Sequence, residues 1–197
     1  DNISLQFKLY DSYLSSPPDE IDSFDDFLNW SNILINDFNE IDKNMIDAKS
    51  IFSNLKDVKE LDSWGLEDWS LSSDELTIVQ TNFLEFYKHL YTWYKHFTDS
   101  LEKDNSAYQG MIFRKAAIKK EEFNYTWDKV WFVGLNAITN SEKIVINYLK
   151  QKNIARVFWD ADKYYYDNKL HEAGSFLRSQ KDMWSEIDFQ GVEDNFA

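Results

Sequence analysis

The chain has 197 residues, 43% of them apolar, and a formal net charge of −14. That apolar share fills one large or two small cores, and the lack of any cysteine excludes disulfides and thiolate-held metals. No stretch of roughly 18 apolar residues and no basic, apolar, small-residue leader occurs, so nothing in the sequence spans or crosses a membrane. The chain opens at Asp1 directly in a helical pattern, without an initiator methionine, and reads as a piece of a longer cytoplasmic protein.

Ile3, Phe7, Tyr10 and Leu14 mark a first helix, closed by the Pro17-Pro18 pair, which forces an extended turn. Ser23 caps a second helix with Phe24, Phe27, Leu28, Leu34 and Phe38 facing inward. A further helix carries Ile41, Met45, Ala48, Phe52 and Leu55 at alternating steps of four and three. After a loop around Trp64-Gly65, Ser72 and Glu75 make a capping box that opens the longest element. Its apolar residues, Leu76, Val79, Phe83, Phe86, Leu90, Trp93, Phe97 or its neighbour His96, and Leu101, keep near-heptad spacing. Such a stripe needs a partner, which the earlier helices can supply. A shorter helix over about Ala107–Lys119 leads towards Phe123–Asp128, where the period turns strand-like. This predicts a helical subdomain over residues 1–125 and an α/β segment over 126–197.

Val130–Val133 and Ile154–Trp159 are short apolar runs of the kind that suits strands buried on both faces of a sheet. Between them Thr139 and Glu142 form a second capping box, and Ile144, Val145, Tyr148 and Leu149 make one apolar stripe. A strand–helix–strand crossover of this length makes the strands parallel neighbours joined right-handedly. The expected fold class is therefore α/β, mostly helical, with a truncated parallel sheet. Two strands are not a stable sheet by themselves, so the segment forms a sheet edge or takes strands from a second copy, which favours a homodimer.

The first strand and its loop resemble the Walker B motif of superfamily-1 helicases of the UvrD and RecB kind, where the strand runs on as DExQDTN. The matching positions here are Gly134, Leu135, Asn136, Ala137, Ile138, Thr139 and Asn140, of which the final Thr-Asn agrees. The second strand and loop, Trp159 to Tyr166, resemble the motif GDxxQSIY. Asp160 and Tyr166 agree, Trp159 stands for the glycine, and Lys163 stands for the glutamine that senses the γ-phosphate. GLNAI at Gly134–Ile138, then SEK, WDADKYYY and HEAG at His171–Gly174, with Leu34–Leu55 and AYQGMIFR at Ala107–Arg114, are similar to AddB-like proteins of Bacteroidetes. Those proteins pair an inactivated helicase region with a C-terminal PD-(D/E)XK nuclease, and the likeness covers nearly the whole chain.

The resemblance implies a helical insert followed by part of a P-loop helicase core, with the other core strands drawn from outside this segment. It implies a parent that is an exonuclease acting in double-strand-break processing and recombinational repair. The partners implied are the remainder of the parent chain, an AddA-type helicase-nuclease subunit, and DNA reached through that complex. A Walker B aspartate holds the water shell of Mg²⁺ and the next glutamate polarises the attacking water; Gly134 and Leu135 do neither. None of the five glycines, at 65, 110, 134, 174 and 191, stands in GxxxxGK[ST] spacing. No catalytic residue, cofactor or metal is expected.

Gly134, Leu135, Asp160, Asp162 and Lys163 are the degenerate nucleotide-site positions. Strand ends are the usual ligand address in open α/β sheets, although aspartate there is more often a turn former and Lys163 more often solvated. His171-Glu172 lacks the second histidine of a zinc hydrolase and reads as a cap. His89 and His96 share a helix face at a rise of about 10.5 Å, too far apart for one ion. Arg114, Lys115, Lys119 and Lys120, with Tyr108 and Phe113 nearby, are the candidates for DNA contact, against pairing with Glu121 and Glu122. Nine carboxylates and one lysine between Asp19 and Asp47 repel a polyanion. Most aromatic residues recur at helical spacing and read as core, whereas Trp64 and Trp69 stand outside that pattern and suit a partner contact.

Two main readings follow. One is a non-catalytic helicase-like fragment of an AddB-type subunit, serving as scaffold or DNA-channel element. The other is an acidic helical module that binds a basic partner and has no nucleic-acid role. A metal-dependent hydrolase built on Asp160, Asp162 and Glu172 is the weakest option.

Overall fold

The computed structural model describes residues 2–54, 78–135, 137–158 and 163–183. The Trp64-Gly65 loop, Trp69 and the Ser72–Glu75 capping box lie outside them. The chain divides into two compact units, Asp1–Lys115 and Ala116–Ala197, at a point N-terminal to the change of period at Phe123–Asp128. The first holds α1 (Asn2–Ser15), α2 (Phe24–Lys43), α3 (Ala48–Asn54), α4 (Ile78–Lys103) and the start of α5 (Gln109–Ile118). The second holds β1 (Val130–Val133), α6 (Asn140–Gln151), β2 (Ala155–Phe158), α7 (Lys163–Asp167), a 3₁₀ turn at Glu172–Gly174 and α8 (Ser175–Met183). The fold is α/β and mostly helical, with a two-stranded parallel sheet. Among the described residues no helix is long and apolar enough to cross a membrane.

In the first unit α1 and α3 pack on α4, and α1 also packs on α2. Leu90, Trp93, Phe97 and Leu101 of α4 are buried as their spacing predicts, and Phe27, Leu34 and Phe38 of α2 meet them. Trp93 stacks at an angle on Tyr13, 5.1 Å between ring centres, and donates its indole N–H to the Ser16 carbonyl at 2.8 Å. That bond fixes the end of α1, since an indole N–H buried without an acceptor is costly.

Two helical expectations need correction. Ile3, Phe7 and Leu14 are 42%, 53% and 43% exposed, and α1 instead buries Leu9 and Tyr13 together with Gln6 and Ser12. Gln6 and Ser12 do not read as core residues, yet Gln6 donates to Ser31 at 3.0 Å and Ser12 to the Lys8 carbonyl at 2.9 Å, so their burial leaves both groups satisfied. Ile41 belongs to α2, which ends where Met45 takes a left-handed φ of 57°. The Ile46 amide then bonds back to the Ile41 carbonyl and the Met45 amide to that of Asp42, a Schellman closure. No glycine announces it, so the apolar period appears unbroken in the sequence. α4 and α6 close in the same way at Asn105 and Asn153.

In the second unit the strands pair in register, Val130 with Ala155 through to Val133 with Phe158. Thr139 caps α6 and the capping box with Glu142 is present. Ile146 and Leu149 are its buried apolar residues, and α6 packs against β2. The predicted burial on both faces is not found. Trp131 and Val133 are 67% and 68% exposed, and Arg156 and Phe158 share their exposed face. Among the described residues one face of the sheet is covered and the other open, because a single crossover helix covers a single face.

Gly110 near the start of α5 shows how tightly α5 meets α2. A Cβ there would stand 2.4 Å from the Asn39 carbonyl oxygen, and the Gly110 amide donates to the Asn39 side chain at 2.7 Å. In a helix, glycine to alanine ordinarily stabilises by about 1 kcal/mol. Gly110→Ala is expected to reverse that sign and destabilise by about 2 kcal/mol in urea unfolding, because backbone must yield. A stabilised variant would mean that the two helices do not approach this closely.

Candidate functional site

The loop leaving β1 is where a parallel sheet of this kind presents ligands. Gly134 has φ 71°, a left-handed conformation that suits glycine, and donates its amide to the Phe158 carbonyl at 3.0 Å. It thereby extends the ladder beyond β1 and offers no charge. Leu135 follows it and Asn136 lies outside the described residues. At the start of α6 the Glu142 carboxylate accepts from the Thr139 amide at 2.7 Å and from its hydroxyl at 2.7 Å, so this helix terminus already holds an anion. Asp160 and Asp162 lie outside the described residues, and of Lys163 only its place at the start of α7 is described. Among the described residues no group of three His, Asp or Glu side chains is placed to hold a metal ion.

The HEAG segment is an organised corner. Arg178 donates to the carbonyls of Tyr165 at 2.9 Å, Asn168 at 3.1 Å and His171 at 2.9 Å, fastening α7 and the 3₁₀ turn to α8. His171 Nδ1 accepts from the Ala173 amide at 3.2 Å, a cap. Arg178 carried no signal in the sequence, since the carbonyls it gathers converge only when the corner folds.

The basic candidates part company. Arg114 Nε lies 2.7 Å from Oδ1 of the fully buried Asp42, at an angle that makes an ion pair rather than a hydrogen bond. Its Nη2 donates to the carbonyls of Ile41 at 3.0 Å and Ile46 at 2.5 Å. Tyr94 and Tyr108 donate to the same carboxylate, Tyr94 at 2.6 Å. AYQGMIFR thus supplies Tyr108, Gly110 and Arg114 to one docking surface on the C-terminal part of α2. Lys115 faces Glu102 at 3.5 Å and Lys119 faces Glu122 at 2.9 Å, both in solvent. Lys120 stands 6.0 Å from the centre of the Tyr148 ring, with Lys152 at 5.5 Å.

Three arrangements were not legible beforehand. Phe123, Tyr125 and Trp127 alternate along the approach to β1 with ring centres 6.2 and 6.3 Å apart, and Tyr125 reaches Tyr148 at 6.1 Å. Phe123 and Trp127 are exposed, so the rings and the two lysines over Tyr148 form an aromatic ladder with positive charge beside it. Ser16 meets His89 Nδ1 at 2.9 Å, and Ser15 meets His96 Nδ1, which ties the end of α1 to α4. Finally, a cleft of about 770 Å³ opens in the first unit, with Trp30, Leu34, Ile51 and Phe86 on its walls and Asp19, Glu20, Asp22, Asp37 and Glu40 around it.

Comparison with protein-family models, with curated proteins and with solved structures gives no match.

Burial, then the Asp42 charge and its hydrogen bond, push the Tyr108 phenol far above its ordinary value of 10.0. Burial, then the hydrogen bond to Asp42, does the same for Tyr94. Both phenols keep their protons to higher pH in the fold than in the unfolded chain, so their contribution is whole below pH 10 and is lost as the pH rises beyond it. Unfolding free energy is expected to fall steeply above pH 10, with a shallower fall in Tyr108→Phe; equal slopes would place Tyr108 outside the cluster. Arg114→Ala strands a buried carboxylate and is expected to cost about 3 kcal/mol. The exposed Lys95–Asp99 pair provides the contrast, Lys95→Ala costing under about 0.5 kcal/mol in the same urea titration.

Proposed function

We propose that this chain is a non-catalytic, helicase-like segment of an AddB-type helicase-nuclease subunit, acting in double-strand-break processing as a scaffold and a wall of the DNA channel. The observation that carries this reading is the parallel β1–α6–β2 unit whose strand-end loop begins with Gly134 and Leu135. Parallel adjacent strands with a capped crossover helix are the framework in which a motor stations its Walker B carboxylates, and at these two positions there are none. The partners are the rest of the parent chain and an AddA-type subunit, the setting is the cytoplasm, and cleavage belongs to a nuclease domain elsewhere in the parent.

DNA contact, on this reading, falls to the ladder of Phe123, Tyr125 and Trp127 rather than to Arg114. Unpaired bases stack on exposed rings whatever their sequence, and Lys120 and Lys152 supply countercharge for the backbone. The overall charge of −14 keeps such binding local and dependent on low salt.

Magnesium ATP should neither be hydrolysed by the purified chain nor raise its melting temperature. Hydrolysis that Asp160→Asn abolishes would end this proposal. Binding to a fluorescent oligothymidylate at low salt should weaken about tenfold in Trp127→Ala, the loss of one stacked base. Affinity indifferent to Trp127 would remove the ladder from the DNA path.

A further inference from the structure

The acidic cleft of the first unit is not used by the reading above and stands on separate observations. We propose that it is the docking groove for a lysine- or arginine-bearing amphipathic helix of a partner protein.

Charge selects the occupant. Asp19, Glu20, Asp22, Asp37 and Glu40 surround the cleft, and none of its described lining residues is basic. Glu40 is paired with Lys43 at 3.3 Å, which leaves the Asp37 side and the 19–22 turn to face an incoming cation. A polyanion is excluded, and a second copy of a chain with charge −14 is disfavoured. Residues 55–77 of the chain itself carry seven carboxylates and two lysines, so they too match the cleft poorly in charge.

Spacing decides between a helix and a small cation. Asp37 and Glu40 are one turn apart along α2, with Asn44 a further turn on, and the other carboxylates come from the turn before Ser23. Polar groups strung along about 10 Å of α2, two of them carboxylates, match successive turns of a basic helix, whereas a single ammonium calls for convergence at one point. The apolar lining also continues outward onto Ile33, 64% exposed, and Ile46, 38% exposed, so it is a surface groove rather than an enclosed chamber. A partner helix can lay apolar residues at its first, fourth and eighth positions against such a groove while its basic residues reach the edges.

The groove is built before any partner arrives. Trp30 Nε1 donates to the Asp22 carboxylate at 3.0 Å, the Asp22 amide donates to the Tyr13 hydroxyl at 2.9 Å, and the Tyr10 hydroxyl donates to the Asp22 carbonyl at 3.1 Å. The acidic turn is thereby fastened to α1 and α2, which lowers the ordering cost of binding. Partial burial also pushes the Asp37 carboxyl above its usual range, an effect that a cation docked beside it would offset.

The test is fluorescence anisotropy of the intact chain with a labelled synthetic Leu/Lys amphipathic helix. Saturable one-to-one binding is expected, weakened about tenfold by Asp37→Lys and by Ile33→Glu, both surface changes whose folding circular dichroism verifies. Asp11→Lys, an equal charge change outside the groove, should leave affinity within about twofold. The proposal is overturned if Asp11→Lys weakens binding as much as Asp37→Lys does. It is equally overturned if a flexible Lys/Ser peptide of equal charge binds as tightly, which would reduce the effect to bulk electrostatics. Displacement of the probe by a synthetic peptide of residues 55–77 would assign the groove to the chain itself and reject a partner.

Discussion

A single buried carboxylate organises the helical unit. Asp42 has no solvent access, and a carboxylate so placed must be met by hydrogen-bond and charge partners. Its partners come from three places: Tyr94 on α4, Tyr108 in the turn after α4, and Arg114 on α5. They act together, because the desolvated charge is tolerable only when its oxygens are met and its charge is balanced. Arg114 does a second task by gathering the Ile41 and Ile46 carbonyls, where α2 ends and its last carbonyls lack helical partners. The end of α2, the Met45 turn and the start of α5 are consequently one construction.

The aromatic lattice surrounds that construction without replacing it. Tyr13, Phe27, Trp30, Phe86 and Trp93 supply apolar area and stack at tilted or edge-on angles, but rings tolerate sliding and do not set register. Register comes from directed bonds, such as Trp93 to the Ser16 carbonyl and Gly110 to Asn39. The acidic groove inherits its rigidity from the same source, since the 19–22 turn is held by the hydroxyls and indole of Tyr10, Tyr13 and Trp30.

The two units have opposite chemistries. Among the described residues the first concentrates carboxylates around an apolar groove, while the second displays exposed rings beside lysines and a sheet with one open face. The open face pairs Trp131 with Phe158, 5.9 Å between ring centres, on a sheet of two strands. Such a surface is a costly thing to leave in water.

By itself the sequence determined the elements whose signals are local: the α4 stripe, the Ser23 cap, the Thr139–Glu142 box and the parallel pairing that a crossover of this length enforces. It also determined that the loop after β1 opens on two uncharged residues, Gly134 and Leu135. The inward face of α1, the break at Met45, the pairing of Arg114 with Asp42 and the groove between carboxylates were settled only by tertiary structure. Each depends on groups distant in the chain meeting one another: Gln6 with Ser31, Asp42 with Arg114, Trp30 with Phe86. A periodic pattern records how much apolar surface a helix has, whereas the partner that satisfies a buried polar group is fixed only when the chain closes on itself.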